Sequence, residues 1–261
     1  DYDGPDPTDD YDGPWKRALE QLFEPFLALL FPRVHAAIDW RHPPELLDKE
    51  LQKLMRRGQA RTVDTLVRVR QRSGEPARLL IHVEVQAQRE APGAFERRMF
   101  IYHYRLFDQD QQPLVSLAVL ADPSSSWRPG SYRHDVCGCG VKMWFPVCKL
   151  KDLEARWEEL ERSDNPFALV VMAHLKTLAS RGDPQQRARW KLDLSRLLVR
   201  RGFDEDDMLK VHAVIDWLMQ LPGALQQQYV AASEEEGMPY TNKWELEGIE
   251  KGLARGLEQG I

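Results

Sequence analysis

The sequence lacks any apolar run approaching the roughly 20 residues that cross a bilayer, so no helical membrane span is expected. Cysteine is scarce, at three in 261 residues, an odd number that does not suggest a disulfide framework. The basic-then-apolar pattern of a secretory signal is missing too. Residues 1–11 instead carry five aspartates among Pro, Gly and Tyr, so a flexible acidic tail and a cytoplasmic location are expected. Nor is positive charge in excess: a net charge of −5 counts against a chain that binds nucleic acid over its whole surface.

What is present is enough apolar material, 43% of residues, for a large core, as one domain or as a catalytic domain with a helical appendix. Charge is unevenly spread. From Lys53 to Arg105 there are twelve Lys and Arg against five Asp and Glu. A basic strip around a pair of acids suits a phosphate backbone approaching a metal site; ordinary arginine-rich surface explains it equally well.

That strip encloses two alternating, β-branched segments, Thr62–Val69 and Leu79–Gln86, both predicted as strands. Ser73-Gly74-Glu75-Pro76 supplies turn chemistry between them, so a hairpin is expected. Alternation puts Leu80, His82, Glu84 and Gln86 on one face of the second strand, and Ile81, Val83 and Val85 on the other. Glu84 is the anomaly, a carboxylate in an apolar strand, with Asp64 in the corresponding place on its neighbour. A buried carboxylate is costly without a positive partner, and two brought together repel unless a proton or a divalent cation lies between them. Mg²⁺, a hard cation held by one or two carboxylates with waters, is the natural candidate. The plainer alternative is that the acids pair with Arg61, Arg68 or Arg70, or face solvent.

Asp64 followed by Glu84-Val85-Gln86 at the end of a hydrophobic strand resembles the PD-(D/E)XK nuclease core, with Gln86 where lysine usually stands. The strings Val63-Asp64-x-Leu66-Val67 and His82-Val83-Glu84-Val85-Gln86 resemble more closely the recombination-promoting nuclease (Rpn) and transposase-like group of that superfamily. Asp12-x-x-Trp15-Lys16 resembles the first-helix signature of the same group. The similarity runs from about residue 12 to the end, with its chemical content within 12–122. It implies an α/β fold: a restriction-endonuclease-like mixed sheet flanked by helices, followed by an α-helical C-terminal region. It also implies a Mg²⁺-dependent DNA endonuclease. In that reading Asp64 and Glu84 hold the metal with the Val85 carbonyl as a further ligand, Gln86 positions water, and Lys16 supplies a cation beside the phosphate, with Glu20 one turn behind. Glutamine cannot carry lysine's positive charge, so the departure at 86 bears on catalytic strength more than on fold. A helix cap and a surface lysine explain Asp12 and Lys16 without any such role.

The expected organisation is an acidic tail over 1–11, a nuclease-like core over 12–150, a helical bundle over 151–240 and a Gly-punctuated tail over 241–261. A first helix from Asp12 carries Trp15, Leu19, Leu22, Phe23, Phe26, Leu29 and Leu30 at helical spacing, and Pro25 is expected to kink or break it. Residues 33–60 stay ambiguous. Val34–Trp40 reads as a short strand or turn, and Glu45–Arg57 as a helix by its leucines or as extended chain by the resemblance. Pro92-Gly93 opens a helix over 94–108 with Phe95, Met99, Tyr102, Leu106 and Phe107 as its apolar stripe, and Arg97, Arg98, His103 and Arg105 off that stripe or beside it. Leu114–Ala121 reads as a strand covered on both faces, 122–130 as a loop, and Val141–Val147 as a strand near an edge because of Pro146.

His134, Cys137, Cys139 and Cys148 form a rival zinc set, but Cys-x-Cys is not the Cys-x₂-Cys knuckle, and alternation would put both cysteines on one face; reduced, partly buried thiols are expected instead. Beyond 151, helices are divided at Asn165-Pro166, Gly182-Asp183-Pro184, Gly202 with Asp204, and Pro222. His174 and His212 read there as packed or surface residues. Gly248, Gly252, Gly256 and Gly260 recur every four residues, each weakening a helix by about 1 kcal/mol. Such a tail suits folding against a partner.

Three function classes follow. The first is a Mg²⁺-dependent DNA endonuclease linked to recombination or mobile elements. The second is a catalytically inactive nuclease-fold module that binds DNA or protein, marked by salt-sensitive DNA binding without Mg²⁺ and without nicks. The third is a structural interaction protein worked by its helical half, with no nucleic-acid affinity at moderate salt. No three-acid strand-transfer site supports transposition chemistry, and oligomeric state, homo-oligomers included, is left open.

Overall fold

The computed structural model describes residues 11–47, 63–72 and 78–236, with the side chains of Val63 and Asp64 outside that description. The described chain is mixed α/β and divides into two compact units. One is Trp15–Arg156; the other joins the start of the described chain, 11–14, to 157–236.

The first unit opens with α1 (Asp12–Gln21, begun in the second unit), α2 (Phe23–Leu30) and α3 (Pro32–Ala36). The expected break is there, but it falls at Leu22, whose φ is −127°. Pro25 then lies in the first turn of α2, where its missing N–H has no intrahelical acceptor to lose. The ambiguous stretch after it resolves partly. Val34 belongs to α3, Ile38 makes a single bridge to Gln71, and Glu45–Leu46 is extended as β1, in agreement with the resemblance rather than the leucine spacing. Residues 48–62 lie outside the described residues.

Strands β2 (Val63–Arg70) and β3 (Arg78–Gln86) pair antiparallel, one residue longer at one end than the alternation suggests. The turn residues proposed between them lie outside the described residues. Helix α4 (Ala94–Asp110) then carries the chain to β4 (Leu114–Leu120), which runs parallel to β3. The predicted strand at 141–147 is two elements. β5 (Ser131–Val136) and β6 (Cys139–Trp144) form a separate two-stranded ribbon, and β7 (Val147–Lys149) closes the main sheet beside β4. Pro146 stops the pairing between β6 and β7, as a residue without an amide donor should. The main sheet is five-stranded, in the order β1-β2-β3-β4-β7.

Helix α4 covers the sheet face that bears His82, Glu84 and Gln86. Phe95 and Met99 pack with Ala118, Leu120, Trp127 and Phe145, and Leu106 packs with Leu66 and Leu80. Two expectations for this helix are corrected: Phe107 is 53% exposed, and Arg98 points inward at 13% exposure. The cysteines are corrected too. Cys137 and Cys139 are exposed, and Cys137 is not in a strand but in the ribbon's turn, with φ +53° followed by Gly138 at +77°. Two positive φ values in a two-residue loop make a type I′ turn, which matches the twist of its strands. Burial pushes the Cys148 thiol up to about 12.

After a 3₁₀ segment, Leu150–Arg156, the second unit continues with α5 (Trp157–Arg162), α6 (Phe167–Ala179), α7 (Pro184–Arg201), α8 (Glu205–Leu218) and α9 (Gly223–Glu235). The punctuation read from the sequence works locally. Asp183 and Asp204 accept the amides of Gln186 and Asp207 at the starts of α7 and α8, and Gly202 ends α7 with φ +65°. His174 and His212 are buried. His212 Nε2 lies 3.0 Å from the Tyr229 hydroxyl, in a buried polar network where Lys191 reaches Asp216 at 2.6 Å and Ser195 reaches Tyr229 at 2.8 Å. The tail beyond 236 lies outside the described residues. Among the described residues no helix is long and apolar enough to cross a membrane.

Candidate functional site

Backbone register builds the site. Asp64 lies directly across from Glu84 in the β2–β3 pair, and Glu84 lies across from Ala118 in the parallel β3–β4 pair. Directly opposed residues of an antiparallel pair share a face, so residues 64 and 84 stand on the side that α4 covers. The side chain of Asp64 lies outside the described residues. Glu84 has no exposed surface.

A buried carboxylate needs a positive partner, and α4 supplies it. Arg98 donates from Nε and Nη2 to Glu84 Oε1, at 3.0 and 2.5 Å. The same guanidinium reaches Glu90 and donates to Gln86 Oε1 at 2.8 Å. Burial alone would lower the Arg98 pKa, but the carboxylates of Glu84 and Glu90 outweigh it and raise the value. The arginines that the sequence offered as partners are otherwise engaged: Arg68 binds Glu45 at 2.8 Å, and Arg70 lies 2.7 Å from His42 Nε2. Arg61 lies outside the described residues.

The other oxygen, Glu84 Oε2, is buried with no hydrogen-bond partner, and neither nitrogen of His82 has one. His82 Nε2 lies 3.7 Å from it, beyond hydrogen-bond reach. Burial lowers the His82 pKa to about 4 despite the nearby Glu84 charge, so the imidazole is neutral at neutral pH. Glu84 therefore rests on Arg98, with one oxygen uncommitted.

Gln86 accepts from Arg98 and donates its amide N–H to the Gln88 carbonyl at 2.8 Å, so the side chain is held at both ends. Val85 is buried on the opposite face. Lys16, on α1, reaches Glu20 at 3.9 Å with 40% of its side chain exposed.

A second buried ion pair lies nearby and has no strong local signal in the sequence. Lys149 Nζ bonds Asp122, whose other oxygen accepts the Ser124 amide at 2.9 Å. Gln86, Leu120 and Lys149 stand side by side in register, so both acid–base pairs lie at the carboxyl ends of the parallel strands β3, β4 and β7. That is where open α/β sheets generally bind ligands. Two aromatic rings join the pairs: Arg98 lies 5.1 Å from the Phe95 centroid, Phe95 meets Trp127 edge-on at 5.5 Å, and Lys149 lies 5.8 Å from the Trp127 ring. Asp122 was legible only as a loop start and Lys149 not at all.

Comparisons with protein-family models, curated proteins and solved structures give no significant match.

Among the described residues no group of three or more His, Cys, Asp and Glu side chains is arranged to hold a metal ion, which also applies to the His134–Cys148 zinc set. Mg²⁺ does not require three, because one or two carboxylates with waters suffice. Glu84 Oε2, buried and unsatisfied, is one carboxylate oxygen of that kind, and position 64 lies directly across from it in the backbone register.

Proposed function

We propose that the chain is a Mg²⁺-dependent DNA endonuclease built on a PD-(D/E)XK-like sheet. The observation that carries the reading is the pairing of residue 64 with residue 84 across β2 and β3, where Glu84 keeps a buried oxygen without a hydrogen bond. Asp64, Glu84 and the Val85 carbonyl would hold the cation. When bound, Mg²⁺ supplies an activated water and stabilises charge on the phosphate as the ester bond breaks. The chain's own residues do the rest. Arg98 supplies the positive charge that glutamine at position 86 cannot, close to the same carboxylate. Gln86, tied to Arg98 and to the Gln88 carbonyl, is fixed to orient a hydrogen-bonded water. Lys16 is held with Glu20 on the first helix and is the second cation offered to the phosphate.

Plasmid nicking with and without Mg²⁺ tests the reading. Nicks should appear only with the metal and should disappear in Asp64→Ala and Glu84→Gln, both of which should keep the wild-type circular dichroism. Unchanged cutting by Asp64→Ala would falsify the assignment. One observation favours a second reading, a nuclease-fold module without activity: Glu84 is already neutralised by Arg98 and closed from solvent. That protein would bind DNA in a salt-sensitive manner, with no need of Mg²⁺ and no nicks.

A further inference from the structure

We infer that the β5–β6 ribbon is the surface on which duplex DNA docks; the inference rests on DNA being the substrate of the Glu84 site. The ribbon forms its own two-stranded sheet, apart from the main one. Such a hairpin is marginal in water unless one face is anchored. Here the anchor is Tyr132, stacked on Phe100 of α4 at 4.7 Å and 15°, with Met143 directly across from it packed against the Phe95–Trp127 cluster.

Alternation gives the other face to Trp144 opposite Ser131, Lys142 opposite Arg133, and Gly140 opposite Asp135. Two cations directly across a strand pair repel each other, a pairing that costs stability unless an anion joins them. Internal relief is slight. Arg133 is 72% exposed and reaches Asp135 only at 3.7 Å, and Lys142 is exposed with no ion-pair partner among the described residues. Beside them Trp144 is 75% exposed. Two exposed cations, Arg133 held only loosely by Asp135 and Lys142 without an ion pair among the described residues, flanked by an open indole, complement a phosphodiester backbone and its sugars or bases.

Shape agrees with charge. A two-stranded ribbon with one face open is one of the two elements that fit the major groove of B-DNA, about 12 Å wide. Trp144 also lines a cleft of about 750 Å³ at the root of the ribbon, together with the exposed Arg33. The mounting is economical. Phe100, which holds the ribbon, is two residues beyond Arg98, which holds Glu84, so one turn of α4 contacts both the ribbon and the acid.

The test measures binding of the full chain to a duplex of about 30 base pairs by fluorescence anisotropy, without Mg²⁺, across a KCl series. Arg133→Ala with Lys142→Ala should weaken binding roughly tenfold at low salt and flatten the log K against log[KCl] slope by about two. Trp144→Ala should weaken it several-fold with the slope unchanged. Arg196→Ala with Arg200→Ala removes equal charge from the helical unit and should change neither; an equal loss there would reduce the ribbon's role to net charge and overturn the proposal. Wild-type affinity and slope in the ribbon variant would overturn it also, while leaving the catalytic reading intact provided Asp64→Ala still abolishes nicking. Absence of any duplex binding by the wild-type chain at low salt would sink both.

Discussion

A carboxylate with no exposed surface sits in a strand among leucine, histidine and glutamine, and the guanidinium brought down from α4 makes that position tenable. Removing the guanidinium while keeping the acid should therefore hurt more than removing both. Arg98→Met is expected to cost about 3–5 kcal/mol, since it leaves a charge buried without a partner. Adding Glu84→Gln should recover most of that loss, which urea unfolding of the three variants would measure. If the double variant is as weak as the single, the arginine matters for packing rather than charge. Position 98 was readable in principle: it falls three residues after Phe95 and four before Tyr102, within the apolar stripe. The sequence reading sets Arg98 off that stripe or beside it, yet its long stem can run through apolar surroundings while its head finds an acid. The Asp64–Glu84 pairing, by contrast, was plain from alternation, because a period of two leaves little choice of face.

At the scale of elements, local signals that act on their own backbone were the legible ones. Asp183, Asp204 and Gly202 set helix ends through bonds spanning three residues, and the sequence placed them. Asp204→Ala should lower stability by about 1 kcal/mol, and Gly202→Ala by a similar amount because of its left-handed φ of +65°. Thermal unfolding followed at 222 nm would register either change, and an unshifted midpoint would remove the cap from the account. The Asp122–Lys149 pair bridges 27 residues, and no local pattern announces so distant a partner. The ribbon was missed for a related reason. Cys137-Gly138 is not the usual Asn-Gly or Asp-Gly signature of a type I′ turn, so β5, the strand before the turn, carries no hairpin signal in the sequence.

At the scale of the whole molecule, each unit holds a buried histidine neutral. Burial lowers the pKa of His82 in one unit and His212 in the other to about 4, from an ordinary value of 6.5. The unfolded chain therefore takes up protons that the folded chain refuses, and stability present above pH 6.5 falls as pH drops towards 4. By pH 5 each histidine should have removed about 2 kcal/mol relative to neutral pH, on the shift from 6.5 to about 4. Urea midpoints at pH 7 and pH 5 would show this, and His82→Gln should flatten the slope by its own share. A pH-independent midpoint would mean that both rings titrate in the fold as they do in the unfolded chain, so that burial does not hold them neutral.

The central strand has a practical consequence for length. Residues 80–85 are paired on both sides, antiparallel to β2 and parallel to β4, so the strand has no slack. One residue inserted between Arg78 and Glu84 would send the acid to the valine side and leave Arg98 facing an aliphatic chain.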